Sequence, residues 1–383
     1  MHKLSFTLKQ HTPIIHFQPT QDGATLRATE LKPKLDKFLI EKFKQEGTDY
    51  EEWLIPGQQG ALDYKVKIIP LINKKTHKVI AYTPKDKEDA ISSYNNINDN
   101  RIIIQTFFFP LKEMIEKKIR QFFVLHNFGK RQSKGYGCYS VEDSNITDIL
   151  KNCKLDVYVK NYNNNGDEYN LKSDTQLDDY FYKNVISRDW SLIKSGKNFH
   201  GYEKSQLFYH FNDKGLKWDK PFIKRKLMEH LSKRNEKIFL MSKYENRKYQ
   251  NKVLYDTNDE IFRFGRAMLG LAEHYEFKAT NNRLFHVEVK HENIERFKSP
   301  VTFKVYDGKI YLIVNKLPQE LINDTEGFSF NVKEYQGNGS NKQLLSEFKL
   351  SGILKLPSFH EFNLDEFMNK ALVNNKLNYK KLV

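Results

Sequence analysis

The sequence contains very little cysteine and no long apolar run. Its 383 residues include 2 cysteines, Cys138 and Cys153, which is too few for a disulfide framework or a cysteine-based zinc site. A membrane-spanning helix needs about 18 consecutive apolar residues, and no such stretch occurs. The first residues, MHKLSFTLKQH, also lack the apolar segment of a secretory signal. We therefore expect a cytoplasmic protein without a membrane partner.

The motifs of common nucleotide-binding and hydrolytic enzymes are also missing. The sequence has neither GxxxxGK[ST] nor GxGxxG, and neither HExxH nor GxSxG. Its 12 histidines are scattered along the chain and show no spacing typical of metal ligands. These absences predict that the protein has no metal site and no cofactor.

Positive charge is the main feature of the composition. The chain has 63 lysine and arginine residues against 48 aspartate and glutamate residues, which gives a formal net charge of +15. Such an excess attracts phosphate polymers and accelerates encounter with them. Aromatic residues make up 14% of the chain, enough to leave some rings for base stacking once the core is filled. The composition therefore favours a nucleic acid as the partner.

One segment, GKRQSKGYG at residues 129–137, combines the groups that hold a nucleic-acid backbone. Glycine lets a backbone approach a ligand closely, lysine and arginine neutralise phosphates, and a tyrosine ring stacks on bases. The alternative interpretation is a solvated basic turn. The candidate nucleic-acid contacts in this segment are Gly129, Lys130, Arg131, Ser133, Lys134, Gly135, Tyr136 and Gly137.

Two further cations lie at the start of the first predicted helix. Arg27 immediately precedes this helix, and Lys32 lies in its first turns. If the helix and the glycine-rich segment share one side of the domain, both side chains extend the same basic groove. The alternative is that they belong to an ordinary solvated helix surface.

The first 145 residues predict a β-α-β-β-α-β unit. Leu4, Phe6 and Leu8 alternate with polar residues, as in a half-buried strand, and apolar stripes at helical spacing begin at Leu31 and Leu111. This order is the ferredoxin-like arrangement, and the glycine-rich segment lies between its second helix and its last strand. The other predicted strands are 64–68, 78–82, 101–109 and 138–141.

The rest of the chain predicts a linker and a second domain. Residues 146–180 are interpreted as a linker or insertion because the stretch NYNNNGD at 161–167 cannot bury apolar surface. Residues 181–383 predict a more irregular α+β domain, with a helix over 261–272, a hairpin turn at Asp307-Gly308 and a closing helix after the cap Asn363. A chain of this length suits two domains, and the fold class is α+β.

These features resemble the RAMP superfamily of CRISPR-associated RNA-binding proteins. The glycine-rich segment after a β-α-β-β-α-β pattern looks like the signature loop of that family. Residues 12–13 with 26–32 look like its first strand end and helix entry, and residues 295–301, ERFKSPV, look like a segment of a second RAMP domain. The resemblance implies two ferredoxin-like (RAMP/RRM-like, βαββαβ) domains.

Within this superfamily, the sequence is most similar to the two-domain head subunit of type III-B (Cmr) effector complexes. That likeness implies a subunit with no catalytic residues, which helps to bind crRNA and target RNA at the end distal to the crRNA 5′ tag. It also implies other Cmr subunits as partners.

Two alternatives from other classes stay open at this stage. The first is a metal-independent endoribonuclease that processes crRNA precursor, with His11, His126 and His200 as candidate acid–base groups because all three lie in basic surroundings. The second is a protein-interaction scaffold without direct RNA contact, whose charge serves solubility.

Overall fold

A computed structural model of the protein describes most of the chain and divides it into two compact units. The first unit comprises residues 1–187, 301–314 and 378–383, and the second comprises 188–300 and 315–377. The described residues are 1–12, 14–15, 26–71, 99–161, 185–198, 202–234, 238–240, 261–271, 274–295, 297–306, 308–337, 341–373 and 377–383.

The first unit opens with a four-stranded antiparallel sheet and two helices. The strands are β1 (His2–Gln10), β2 (Lys65–Pro70), β3 (Asn100–Thr106) and β4 (Tyr139–Val141), and the helices are α1 (Ala28–Glu46) and α2 (Phe109–Leu125). Across the sheet the strands follow the order β2-β3-β1-β4. The element order predicted for the first 145 residues is therefore confirmed, whereas the predicted strand at 78–82 lies outside the described residues.

Apolar stripes hold the two helices against this sheet. Leu31 and Phe43 of α1 and Leu111 and Ile115 of α2 are completely buried in one core that also contains Leu8 of β1. These residues have the spacing of one helix face, and they belong to the apolar stripes predicted from the sequence. α1 begins at Ala28 and ends at Glu46, and the next residue, Gly47, has a φ of 65°, the left-handed conformation common after a helix.

The remaining elements alternate between short helices and strands. In chain order they are α3 (Ile146–Lys151), β5 (Asp156–Asn161), α4 (Ser187–Lys194), β6 (Lys197–Asn198), β7 (Tyr202–Glu203), α5 (Gln206–Asp213), β8 (Leu216–Lys217), α6 (Asp219–Ser232), β9 (Ile261–Phe262), β10 (His274–Ala279), β11 (Arg283–Lys290), β12 (Val301–Tyr306), β13 (Lys309–Val314), α7 (Gln319–Ile322), β14 (Ser329–Gln336), β15 (Gln343–Lys349), α8 (Leu364–Val373) and β16 (Lys380–Lys381).

A second sheet of the first unit joins strands from distant parts of the chain. Its order is β12-β13-β5-β16, and every pairing in it is antiparallel. If its strands are numbered by their own succession along the chain, the order is 2-3-1-4, which is also the order of the first sheet. β12 and β13 are buried along nearly their whole length, as continuous apolar runs predict.

The second unit contains a meander of four antiparallel strands in the order β10-β11-β14-β15. Helix α8 buries Phe367 and Leu372. It begins after Asn363, whose Oδ1 accepts hydrogen bonds from the N–H groups of Asp365 and Glu366 at 3.0 Å each. The closing helix and its cap are thus confirmed.

Two predictions about the middle of the chain are wrong. Residues 146–161 of the predicted linker form α3 and β5, because β5 pairs with strands more than a hundred residues away and short polar-flanked strands carry little local signal. The helix predicted over 261–272 is interrupted: β9 is followed by a 3₁₀ turn, Gly265–Leu269, and Gly270 ends it with a φ of 111°. Residues 162–180 of the linker lie outside the described residues.

The boundary between the units also differs from the predicted division. β12, β13 and β16 fall within residues 181–383, the predicted second domain, yet they belong to the first unit through their pairing with β5. In the described part of the chain, no helix is long and apolar enough to cross a membrane.

Candidate nucleic-acid interface

The glycine-rich segment is a hydrogen-bonded loop between α2 and β4. Asn127 and Cys138 face each other as an antiparallel bridge, and the N–H of Phe128 donates to the carbonyl of Gly137 at 3.1 Å. At the tip, the N–H of Lys134 donates to the carbonyl of Arg131 at 2.9 Å. The loop therefore has a fixed internal frame.

Glycine is required in this loop by contacts within the protein. A Cβ at Gly137, where φ is 64°, would lie 2.8 Å from the carbonyl carbon and 2.9 Å from the nitrogen of Phe128, with the carbonyl oxygen closer still. A Cβ at Gly129 would lie 2.5 Å from the carbonyl oxygen of Ile15. The close backbone approach predicted toward a ligand is instead made toward the chain itself.

A carboxylate occupies the start of the loop. Oε1 of Glu30 accepts a hydrogen bond from the N–H of Gly129 at 2.8 Å and lies 2.7 Å from Nζ of Lys34. The next N–H, that of Lys130, donates to the carbonyl of Ile15 at 2.8 Å. These two backbone donors are thus already used, so they are not free to cradle a phosphate in this conformation.

Thr12 fixes the other side of the loop from the end of β1. Its hydroxyl donates to the carbonyl of Gly135 at 2.8 Å and accepts from the N–H of Cys138 at 2.9 Å. Gly135 and Gly137 are buried, and Tyr136 is only 6% exposed. In this conformation the Tyr136 ring is part of the protein interior, which does not leave it accessible to a stacking base.

β12 holds the loop from the second sheet. The N–H of Phe303 donates to the carbonyl of Ser133 at 3.1 Å, and Nδ2 of Asn127 donates to the carbonyl of Phe303 at 3.0 Å. Lys134 forms a bridge with Phe303, and its Nζ lies 6.0 Å from the centroid of that ring. Ser133 and Lys134 are half-buried, which makes both of them part of the loop's frame.

A buried lysine completes this anchor. Lys304 is 0% exposed, and its Nζ donates to the carbonyls of Phe123 at 3.1 Å and His126 at 2.7 Å, and to Oδ1 of Asn127 at 2.5 Å. These carbonyls belong to the C-terminal end of α2, where a cation is favourable. Sequence reasoning missed Lys304, although a lysine inside the apolar run VTFKVY was the available signal.

Two of the predicted site residues remain exposed at the loop tip, Lys130 and Arg131. The two predicted cations at the start of α1 are less accessible. Arg27 is half-buried at the N-cap position of the helix. Lys32 forms an ion pair with Asp36 at 2.7 Å and donates to the carbonyl of Leu62 at 2.8 Å. Lys32 therefore has a structural role, and the loop tip is the accessible cationic part of the predicted groove.

The candidate acid–base histidines are separated in the structure. His126 ends α2, where its ring stacks on Phe122 with centroids 4.7 Å apart. His11 lies 2.8 Å from the Ser140 hydroxyl, at the wall of a cavity of about 440 Å³ that also includes the carboxylates of Asp99 and Glu142. His200 lies outside the described residues.

One group of side chains in the described ranges has the proximity of metal ligands: His291, Asp324 and Glu326. Nδ1 of His291 accepts from the N–H groups of Asn293 at 3.0 Å and Ile294 at 3.1 Å, and Nε2 lies 2.8 Å from Asp324. Both ring nitrogens thus have protein partners, as expected for a histidine that stabilises a turn.

Comparison with known protein families covers nearly the whole chain. The family model of the Cmr1 N-terminal domain matches residues 1–197, and that of the Cmr1 C-terminal domain matches residues 202–382. The chain belongs to the Cmr1 family. Members of this family are subunits of the type III-B Cmr complex, a CRISPR effector, so the family resemblance drawn from the sequence is confirmed.

Two solved structures resemble this Cmr1-family chain distantly. Cmr1 from Pyrococcus furiosus in its apo form is 10% identical, with a TM-score of 0.36 over 100% of this chain and 99% of that chain. A chain of the type III-B Cmr-beta complex bound to cognate target RNA is 12% identical, with a TM-score of 0.27. That second match covers 37% of this chain and 58% of the other. No curated protein matches the sequence.

Proposed function

We propose that this chain is a non-catalytic RNA-binding subunit of the type III-B Cmr effector, and that Lys130 and Arg131 contact RNA phosphates. The observation that supports this most directly is the loop tip, where two adjacent exposed cations extend from a frame fixed by Glu30, Thr12 and β12. A rigid frame lowers the entropic cost of placing a flexible cationic side chain against a phosphate. The net charge of +15 supports an anionic partner.

Neutralising the loop tip should weaken RNA binding without unfolding the protein. We expect the double variant Lys130→Gln and Arg131→Gln to bind single-stranded RNA several-fold more weakly, with a salt dependence reduced by about 0.7 logarithmic units per lost phosphate contact. Stability should change by less than about 1 kcal/mol because both substitutions are at the surface. Fluorescence anisotropy of labelled RNA at several salt concentrations measures the affinity and its salt dependence.

The matched control is Lys117→Gln with Arg120→Gln. These side chains are exposed on α2, and the pair removes the same charge. Equal affinities and equal salt slopes in the two double variants would show that only net charge matters, which would refute a contact at the loop tip.

The position of the chain within the complex follows from the same proposal. We place it at the end distal to the crRNA 5′ tag, where it contacts crRNA and target RNA beside other Cmr subunits. Crosslinking in the assembled complex tests this placement, with a photoreactive group attached to a cysteine introduced at position 130. Crosslinks confined to tag-proximal nucleotides would contradict it.

The non-catalytic part of the proposal has a direct test against the endoribonuclease alternative. His11 lies beside Ser140 at the wall of a cavity, which makes it the histidine to test first. Precursor crRNA incubated with the protein in EDTA should stay intact. Discrete cleavage that is abolished in the variant His11→Ala would establish the ribonuclease instead. Stable association with Cmr subunits after RNA digestion, without any RNA binding by the chain itself, would favour the scaffold.

The common strand order supports a proposal about the fold. We infer that both sheets of the first unit are ferredoxin-like RAMP domains, and that the second one has the elements of the second unit inserted between its strands. The 2-3-1-4 order and the antiparallel pairing of both sheets support this. An experimental structure in which β5 pairs with neither β13 nor β16 would refute it.

A further inference from the structure

The face of the first sheet that points away from its core is strongly basic. Along β1, Leu4 and Leu8 are buried in the core, whereas Lys3, Ser5 and Lys9 are exposed. Successive side chains of a strand point to opposite faces. The odd-numbered residues of β1 therefore form the open face, together with the residues opposite them in β2 and β3.

The strand register defines the composition of this open face. Successive cross-strand rows in the order β2, β3, β1 are Lys65-Gln105-Lys3, Lys67-Ile103-Ser5 and Ile69-Arg101-Thr7. A fourth position pairs Lys9 with Ser140 of β4. Among these described positions there are five cations and no carboxylate.

Four of these cations make no compensating contact with any described residue. The side chains of Lys3, Lys65, Lys67 and Arg101 are exposed, and within the described part of the chain none of them forms a hydrogen bond or an ion pair. Lysines of the helix layer behave differently, since Lys32 and Lys34 each pair with a carboxylate. Like charges gathered on one surface repel each other. An anionic ligand would relieve that repulsion.

The spacing of the cations suits an extended phosphate backbone. Residues two apart on one strand are separated by about 7 Å, and strands two apart in a sheet by about 10 Å. The cations therefore lie about 7–10 Å from one another, and their long side chains allow each to reach a phosphate of an extended strand. Apolar groups on the face are limited to Ile69 and Ile103 in the rows above, which leaves little surface for a protein partner.

An exposed aromatic residue extends the open face at one end. Phe107 lies two residues after Gln105, just beyond the end of β3. Its side chain is 72% exposed. Surfaces that bind single strands without sequence preference combine a cationic track with rings on which bases stack. Both components occur here, the cations on β1, β2 and β3 and the ring just beyond the end of β3.

We infer that the open face of the first sheet, centred on Lys3, Lys65, Lys67 and Arg101, binds the phosphodiester backbone of single-stranded RNA without sequence preference. This inference rests on the proposed function and gives the chain a second contact surface besides the loop tip. Phe107 supplies a base-stacking position at the end of this surface.

The test uses the full-length chain and a matched pair of quadruple variants. The test variant carries Lys3→Gln, Lys65→Gln, Lys67→Gln and Arg101→Gln. The control carries Lys37→Gln, Lys44→Gln, Lys117→Gln and Arg120→Gln. The control positions are exposed residues of α1 and α2, the layer on the other side of the sheet, and both variants lose four charges.

Binding of a fluorescent oligouridine, which stacks weakly, isolates the backbone contribution. We expect the test variant to lose at least about tenfold in affinity at low salt, and its salt slope to fall by about 3. The control should stay within about twofold of the wild type. Phe107→Ala should weaken an oligoadenosine, whose bases stack better, more than it weakens oligouridine.

The outcomes separate this inference from the proposed function. Test and control variants with equal affinity and slope would overturn the open-face site, while the loop-tip double variant could still show that RNA is bound elsewhere. If the test variant binds RNA as well as the control but fails to associate with Cmr subunits, the face is a protein interface. A wild-type chain that binds no RNA would refute both proposals.

Discussion

Replacing Gly137 with alanine should unfold the region around the glycine-rich loop, whereas the same change at Gly47 should have a modest effect. Both glycines have nearly the same φ, 64° and 65°, so the backbone strain of an alanine is about equal at the two sites. The surroundings differ. A Cβ at Gly47 meets nothing within 4 Å, whereas one at Gly137 meets three backbone atoms of Phe128, and a backbone cannot turn aside as a side chain can.

The expected magnitudes follow from these two contributions. Left-handed backbone costs an alanine about 1 kcal/mol, and we expect this loss in the free energy of unfolding at Gly47. Steric overlap with fixed atoms adds about 1–3 kcal/mol, so the total at Gly137 should be about 2–4 kcal/mol. Hydrogen exchange of α2 and β4 peptides in increasing urea measures the difference locally. Similar losses for the two variants would contradict the steric explanation.

The glycines of the loop thus show both the strength and the limit of sequence reasoning. The segment GKRQSKGYG correctly identified a specialised loop between α2 and β4, because glycine and lysine at this density are unusual next to a helix. The same residues gave no indication of which atoms the loop backbone approaches. Phe128 and Ile15 supply those contacts, and only the folded chain brings Ile15 to Gly129.

Local patterns predicted the first unit well because its first sheet is built from neighbouring segments. The stripes of α1 and α2 and the alternation in β1 each follow from a single periodic run. The second sheet has no such signal. β5 is a six-residue strand. Residues 188–300 of the second unit separate it from its partner β13, and the whole second unit separates it from its partner β16. Long-range pairing of this kind cannot be read from composition or periodicity.

The open basic face was present in the sequence without being recognised. Tyr64, Val66 and Ile68 alternate with Lys65 and Lys67, which predicts a half-buried strand but does not indicate which residues of other strands lie beside the lysines. The register between β1, β2 and β3 is what brings Lys3, Lys65 and Lys67 onto one surface.

Replacing Glu334 with glutamine should cost the second unit about 3 kcal/mol in its free energy of unfolding at neutral pH. Glu334 is 0% exposed in β14, and its carboxylate lies 2.6 Å from Arg234, 2.8 Å from Arg283 and 2.7 Å from the Ser346 hydroxyl. Neutral glutamine would leave both guanidinium groups without their counter-charge. We expect a loss at the lower end of the range for breaking a buried ion pair, because both arginines are partly solvated.

The same network makes stability depend on pH in a defined direction. Burial by itself raises the pKa of the Glu334 carboxyl, but the hydrogen bonds from Arg234 and Ser346 and the charges of Arg234 and Arg283 outweigh it, and the pKa lies below its ordinary value. The stabilisation is therefore complete above the pKa of an unfolded glutamate, about 4.3, and is lost as the pH falls through the lower pKa of the folded state.

Acid titration of stability distinguishes this carboxylate from the others. The wild type should lose stability below about pH 4 more steeply than Glu334→Gln, so the two curves should converge in acid. The control Glu347→Gln removes an exposed carboxylate from the adjacent strand β15. Its stability should change with pH in the same way as that of the wild type. Hydrogen exchange of β11 and β14 peptides across the pH series provides the measurement. If the difference in stability between wild type and Glu334→Gln stays constant down to pH values well below 4, the charge of Glu334 contributes nothing to the free energy of unfolding.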